Sequence, residues 1–396
     1  MSKLTPKLRF PEFRKGPGWT EKPLTDICEV NPPNDGLPDS FVYVDLESVV
    51  GGILTIRKRL PRAEAPSRAQ RLLHKKDVIY QMVRPYQRNN FFFDIDDGDA
   101  YVASTGYAQL RATGSPAFLF QLIHTDEFVF KVLAKCTGSS YPAINSAQLA
   151  DIAIGVPDVP EQQKIADCLS SLDELIAAEG RKLESLRAYK KGLMQQLFPR
   201  DGESVPRLRF PGFRKAGKWE ARPLAEVGTN LDNRRIPIAE VSRTKGEIPY
   251  YGASGVVDYV NDFIFDEDLL CVSEDGANLV ARTYPIAFPI SGKTWVNNHA
   301  HVLRFDDSHT QKIVEDYLNS IDLRDFITGM AQPKLNRAML DTIPIPLPTE
   351  GDERLIIAGC LSSLDIQITA QTERLTALQT HKRGLMQQLF PSMAEA

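Results

Sequence analysis

Thirty-nine residues of this chain are written twice, and that repeat limits the folds open to it more than any other feature. Residues 161–199, EQQKIADCLSSLDELIAAEGRKLESLRAYKKGLMQQLFP, return 192 positions later as residues 353–391, ERLIIAGCLSSLDIQITAQTERLTALQTHKRGLMQQLFP. Both copies keep CLSSLD and GLMQQLFP letter for letter. In the first copy Ile165, Leu169, Leu172, Ile176, Glu179, Leu183, Leu186, Lys190, Leu193 and Leu197 follow one another at alternating steps of four and three. The second copy repeats the seam through Ile357, Leu361, Leu364, Ile368, Gln371, Leu375, Leu378, Lys382, Leu385 and Leu389, with polar residues at the same two places. A narrow apolar stripe with a 3.5-residue period calls for a partner helix beside it. At about 1.5 Å per residue each copy makes a helix roughly 55 Å long, a strut rather than an ordinary domain helix.

The duplication extends beyond the helices. LRFPEFRKGPGWTEKPLTDI, residues 8–27, matches LRFPGFRKAGKWEARPLAEV, residues 208–227, with Trp19 over Trp219. Ahead of each helix, Pro142, Asn145, Leu149, Ile154 and Pro157 correspond to Pro333, Asn336, Leu340, Ile345 and Pro348. Between these shared pieces, residues 28–138 and 228–329 show no visible similarity. Each insert reads as mixed, with strands such as Phe41 to Leu46, Asp77 to Val83, Leu269 to Val272 and Thr294 to Phe305. Helical stretches are expected at Phe118 to Ala134 and Thr310 to Ile327.

The predicted fold is therefore α+β, with two globular mixed domains separated by a long antiparallel two-helix coiled coil and related by a pseudo-two-fold axis. The bounds are 1–157 for the first domain, 158–199 for the first long helix, 200–348 for the second domain, and 349–396 for the second long helix with its tail. The expected seam contacts are Leu169, Leu172, Ile176, Leu183, Leu186 and Leu193 against Leu361, Leu364, Ile368, Leu375, Leu378 and Leu385. Gly192 and Gly384, at the same place inside the two helices, suggest close approach by another helix, since interior glycine costs about 1 kcal/mol relative to alanine.

A length of 396 residues suits two domains, and 42% apolar with 25% charged residues is ordinary for soluble protein. No apolar run approaches the roughly 20 residues of a membrane span, and the N-terminus has no signal-like core, so the expected location is cytoplasmic. The five cysteines include no closely spaced pair, which suggests neither a disulfide framework nor a cysteine-based zinc site. A net charge of −4 argues against a protein that coats nucleic acid without regard to sequence. Locally, Arg57, Lys58, Arg59, Arg62, Arg68, Arg71, Lys75 and Lys76 face one acid, Glu64, in sequence, which fits either a phosphate-contacting surface or a solvated basic loop.

Catalytic patterns are incomplete. Asn31-Pro32-Pro33 resembles the start of an amino-methyltransferase catalytic loop, but Asn34 stands where that loop has an aromatic residue, and no glycine-rich donor loop accompanies it. AFPISGKT, from Ala287 to Thr294, satisfies a loose phosphate-loop pattern, yet a strand-like stretch follows it instead of a helix. His299 and His301 stand two apart on a strand and need a third group, Glu274 or Asp275, to hold a metal; no metal site is assigned.

Polar and basic clusters fit nucleic-acid contact better. The first insert offers Arg84, Tyr86, Gln87, Arg88, Asn89 and Asn90, then Ser104, Tyr107 and Arg111. The second offers Ser273, Glu274, Asp275, Asn278 and Arg282, then Lys293, Asn297, Asn298 and His299. Arginine pairs with guanine, and asparagine or glutamine with adenine, through two hydrogen bonds; acids accept from cytosine. Ordinary polar loops carry the same residue types.

With these residues in view, the chain resembles the specificity subunit of type I restriction-modification systems nearly end to end. The resemblance rests on the doubled LRFP-x-F…W, the hinges VPDVPEQQKIADCLSSLD and IPLPTEGDERLIIAGCLSSLD, the KxGLMQQLFP helix ends, and EDGANL…SGKTWVNNHAHVLRF in the second insert. Glu161-Gln162 keeps the family's usual pair, whereas the second copy has Glu353-Arg354. The resemblance implies a non-catalytic subunit whose two target-recognition domains read a bipartite, asymmetric double-stranded DNA site, held apart by the helices acting as a ruler. It also implies two modification (methyltransferase) subunits bringing S-adenosylmethionine, and restriction or translocase subunits bringing ATP and magnesium. A DNA-binding enzyme with its own metal or methyl-donor site, and a scaffold that binds no DNA, are the other classes that stay open at this point.

Overall fold

The computed structural model describes residues 4–138, 140–200, 202–329 and 332–391. The chain divides into two compact units, one formed by residues 1–180 with 374–396 and the other by residues 181–373. Two continuous helices, Val159–Leu197 and Gly351–Leu389, each contribute one half to each unit. The sequence bounds for the two helices lie within two residues of these, apart from the tail after Pro391, which is outside the described residues.

In the first unit the start of the first long helix lies beside the end of the second, antiparallel. Ile165 and Leu169 join Trp19, Leu24, Phe118, Phe128, Leu389 and Phe390 in one core. The letters repeated along the chain are the ones that hold this arrangement together. Arg9, from LRFP, donates to both carboxylate oxygens of Glu161 at 2.7 and 2.6 Å, and Trp19 Nε1 lies 3.3 Å from the same carboxylate. One residue earlier, the Leu8 N–H donates to the Gln388 carbonyl at 2.9 Å. The lead-in segment thus fastens the first turn of one helix to the last turn of the other. Its strand Thr20–Pro23 then pairs antiparallel with the hinge strand Ala153–Val156.

The second unit repeats these contacts except the indole bond: Trp219 Nε1 is buried without a partner. Arg209 donates to both oxygens of Glu353 at 2.7 Å each, the Leu208 N–H donates to the Gln196 carbonyl at 2.9 Å, and Glu220–Pro223 pairs with Pro344–Leu347. Glu353 keeps this bond although its neighbour is Arg354 instead of glutamine; Arg354 donates to the Pro348 carbonyl at 3.0 Å.

Three of the four polar breaks in the seam, Lys190, Glu179 and Lys382, form ion pairs. Lys382 Nζ lies 2.6 and 2.8 Å from the Asp173 carboxylate in the first unit. Lys190 Nζ lies 2.6 Å from Asp365 in the second. Lysine comes from one motif, KxGLMQQLFP, and aspartate from the other, CLSSLD, so each pair joins opposite copies of the repeat. Glu179 pairs with Arg374 at 2.7 Å. Among the described residues the second long helix alone is long and apolar enough to cross a membrane, but its two halves pack into the cores of the two units. Gly192 and Gly384 do not mark a close approach: a Cβ at either would meet nothing within 4 Å.

The two inserts, unlike in sequence, have one topology. In the first unit one sheet runs in the order Cys28–Val30, Tyr107–Ala112, Val78–Gln81, Phe91–Phe92, and a second runs Lys58–Pro61, Ser40–Val44, Tyr101–Ser104, Ala69–Leu72. The second unit gives Thr229–Asn230, Ala300–Arg304, Leu269–Ser273, Ala287–Ile290, then Gly255–Val260, Lys245–Gly252, Lys293–Val296, Phe265–Asp266. In both, the central pair of the second sheet is parallel, Val42–Val44 with Tyr101–Ala103 and Tyr250–Tyr251 with Trp295–Val296.

Three long elements predicted from sequence are each two shorter ones. Thr125 accepts a hydrogen bond from the Phe128 N–H and so caps a new helix, which splits 118–134 into Pro116–Leu122 and Asp126–Lys135. Asn297 accepts from the His299 N–H, which turns the chain between Lys293–Val296 and Ala300–Arg304. The stretch from Thr310 to Ile327 is the helix Ser308–Ser320 followed by a short 3-10 turn, Arg324–Phe326.

Removing Arg209 leaves the Glu353 carboxylate, 1% exposed, without its counter-charge. Arg209→Ala is expected to cost about 3–5 kcal/mol, read as a fall in the denaturation midpoint, whereas replacing both partners by apolar residues of similar volume recovers most of the loss.

Candidate nucleic-acid interface

Each unit leaves its central strand, Val78–Gln81 or Leu269–Ser273, through a loop held by the segment that leads into the hinge. In the first unit Val83 bridges Ala143; in the second Asp275 bridges Lys334. The next residue N–H donates to a proline carbonyl in both, Arg84 to Pro142 at 2.7 Å and Gly276 to Pro333 at 3.1 Å. Both residues have left-handed backbone, φ 53° at Arg84 and 109° at Gly276. Each loop ends on a left-handed arginine, Arg88 at 54° and Arg282 at 52°. The candidate residues RPYQR and EDGANLVAR are thus the same structural loop in two sequences.

Within it, several residues expected at the surface are consumed by the fold. Arg88 donates to the His124 carbonyl at 2.9 Å and to Asp126 at 2.6 Å, and this bond holds the Asp126 carboxyl below its ordinary range. Asn90 is 1% exposed and accepts from the Gln81 N–H. Asn89 accepts from the Gly51 N–H at 3.0 Å, and Gln87 Oε1 accepts from Gln81 Nε2 at 2.8 Å. Tyr86 and Gln87 are exposed on the turn, and Arg84 is half-buried beside them. The Arg84 guanidinium lies over the Tyr141 ring, 4.2 Å from its centroid, and Tyr141 is 64% exposed.

Ser104 and Tyr107 are interior. Ser104 accepts from the Gly106 N–H, and the Tyr107 hydroxyl donates to the Asp45 carbonyl at 3.3 Å. Arg111 is held at 2.9 Å by both oxygens of buried Asp77. These three serve packing rather than a surface.

The second loop behaves alike. Asn278 Oδ1 accepts from the Thr283 N–H, the Thr283 hydroxyl and the Tyr284 N–H, while its Nδ2 donates to the Tyr284 carbonyl. Arg282 donates to the Leu318 and Ile321 carbonyls at the end of the helix Ser308–Ser320. Ser273 donates to Ala253 O at 2.6 Å. Asn297 is buried and braces its own turn. Asp275 pairs with His299 at 2.8 Å, Lys293 lies over the exposed ring of Phe263, and Asn298 is exposed with no hydrogen bond among the described residues.

His299 and His301 do not share a partner. His301, fully buried, bridges Asp232 Oδ2 at 2.6 Å and the Leu335 carbonyl at 2.7 Å. Burial alone raises Asp232, but the bond from His301 and the charge beside it hold that carboxyl below its ordinary range. Asp232, Glu274 and His301 come together as metal ligands would. The Arg235 guanidinium sits on both carboxylates, at 3.3 Å from Asp232 and 2.7 Å from Glu274, and supplies the positive charge there. Asn31 likewise accepts from the Gln109 N–H and donates to Ser146, a structural bracket rather than a base clamp. The AFPISGKT segment joins two strands that lie in different sheets.

Half of the basic run pairs with an acidic stretch that sequence reading left unweighed. Arg57 pairs with Asp97 at 3.2 Å, Lys75 with Asp96 at 2.7 Å, Arg59 with Asp99, and Lys76 with Asp94. Tyr141 was also missed; an aromatic residue just before the repeated proline, where the second copy has Gln332, was the signal for it.

The chain carries one α+β topology twice, each copy presenting a differently worded loop at the same place in its unit. The comparisons with known proteins agree. The profile of the type I restriction modification DNA specificity domain matches residues 17–188 and again 216–380. The MjaVIII specificity subunit of Methanocaldococcus jannaschii is 34% identical over 305 residues, 69% of each chain. Two Haemophilus influenzae relatives match over about a third of their length: S.HindORF215P, 35% identical over 129 residues (33% of each chain), and the HindI specificity subunit, 28% identical over 140 residues (34% of this chain, 30% of the relative). Among solved structures, the S subunit from M. genitalium shares the fold at a TM-score of 0.66 and 15% identity, covering 98% of this chain and 100% of that one. The chain belongs to the type I restriction-modification DNA specificity family.

Asn278→Ala is expected to lower stability by about 2 kcal/mol in denaturant unfolding, because several backbone and hydroxyl partners lose their mate inside the loop. Asn298→Ala is expected to stay within about 0.5 kcal/mol.

Proposed function

We propose that this chain is the DNA-reading subunit of a type I restriction-modification complex. Each unit reads one half of a bipartite asymmetric site, and the long helices set the distance between the halves. The observation that carries this reading is the pair of loops Arg84–Arg88 and Gly276–Arg282, anchored the same way to a proline carbonyl and differing in length and side chains. Two readers of the same build with different wording suit a site whose halves differ in sequence. A roughly 55 Å helix spans on the order of one and a half turns of duplex, at about 34 to 36 Å per turn.

The chain itself works by positioning. Two modification subunits, bringing S-adenosylmethionine, dock on the helices, and restriction subunits bring ATP and magnesium; the complex acts in the cytoplasm. Catalysis belongs to those partners. Incubation of the purified chain with labelled methyl donor and DNA tests that division of labour: turnover by the chain alone contradicts it.

Seven residues inserted in register into both long helices, near Gly180 and Glu373, keep the seam and the crossed lysine–aspartate pairs while adding about 10 Å of rise. The expected outcome is a spacer longer by about three base pairs with both half-sites unchanged, read from the methylated adenines of cells carrying the altered complex. An unchanged spacer refutes the ruler.

A further inference from the structure

We infer that Arg84, seated on the ring of Tyr141, is a base-reading side chain of the first unit, directed at the N7 and O6 edge of a guanine in the major groove. This rests on the reading of the chain as a DNA-recognition subunit. Four arginines lie at or beside the two loops, and three are committed elsewhere: Arg88 to His124 and Asp126, Arg111 to Asp77, Arg282 to two helix-end carbonyls. Arg84 differs. Its Nε is buried without a partner, and its terminal nitrogens make no hydrogen bond among the described residues. The Arg84 guanidinium carbon lies 4.2 Å from the centroid of the exposed Tyr141 ring, which holds the half-buried side chain in place. A planar fork held in place meets a bidentate acceptor with little further loss of freedom.

The comparison between the units sharpens the assignment. At the matching place, with the same backbone bond to a proline carbonyl, the second unit has Gly276. Glycine adopts left-handed backbone without cost, whereas arginine there costs on the order of 1 kcal/mol. The Tyr141 position is Gln332 in the second copy. Arg84 and Tyr141 are therefore both peculiar to the first reader, and Arg84 holds a left-handed backbone where the second unit has glycine. A strained residue with an unpartnered functional group points to use by a ligand. The ligand that matches a flat two-donor fork on a DNA-reading loop is the paired acceptor edge of guanine.

The test uses the full chain assembled with its modification subunits, selecting from a randomised double-stranded DNA library, with wild type, Arg84→Gly and Arg84→Lys compared. Arg84→Gly takes the second unit's own residue and relieves the backbone, so its melting temperature is expected to hold or rise. Both variants are expected to lose about 5- to 140-fold discrimination at one guanine of one half-site, with the other half unchanged. An unaltered preference overturns the assignment, as does a wild-type site with no guanine in the half that changes. A uniform loss of affinity for all sequences, with the salt-dependence slope falling by about one, marks a phosphate contact and also overturns it. A wild-type complex that selects no sequence refutes the DNA-recognition reading, and this assignment with it.

Discussion

The buried arginine–glutamate pair at the head of each long helix is the interaction on which the rest of the structure depends. Arg9 and Arg209 each spend two parallel hydrogen bonds on a glutamate that is 1% exposed. A charge so deeply buried is tolerable only with its partner in place, so the lead-in segment has one acceptable position. From there the neighbouring backbone bond, Leu8 to Gln388 or Leu208 to Gln196, fixes the end of the opposite helix. The β pairing to the hinge, the seating of Trp19 or Trp219, and the direction from which the variable sheets emerge all follow. That is why the most heavily repeated letters lie in LRFP and at the helix ends, not in the sheets.

The helices and their partnership were legible because a 3.5-residue stripe has one structural solution, and because a second copy confirmed each position. The common topology of the inserts was not. A buried strand asks only for apolar residues of suitable size, and VIYQ and LLCVS meet the same demand with no letter aligned. Parallel pairing in the middle of the second sheet is likewise invisible in sequence, since it is set by strands far apart in the chain. The matching loops emerge only when the proline carbonyl bonds are seen.

The candidate contacts were half legible for a different reason. Asn90, Tyr107, Arg111, Asn278 and Arg282 have the residue types that read bases, and those same donors and acceptors close turns and cap helices. Composition cannot say which use a side chain serves; its partners can. Charge misled in the same way. In the run from Arg57 to Lys76, Asp94, Asp96, Asp97 and Asp99 fold against four of the eight cations.

The crossed lysine–aspartate pairs, equivalent by repeat, sit in unequal surroundings. In the first unit Asp173 also accepts from Gln121, an uncharged amide, and is 41% exposed. In the second, Lys190 and Lys312 share Asp365, about a third exposed, and the buried Asp316. Burial pushes Asp365 up, but the two lysines outweigh it and hold that carboxyl below its usual 3.8. Such a group adds stability above about pH 4 that disappears as the pH falls through its lowered value. Asp232, Glu274 and Asp307 in the same unit are displaced in the same direction. The symmetry of the repeat therefore does not extend to the surroundings of its ion pairs: one lysine and a neutral amide serve Asp173, whereas two lysines serve Asp365.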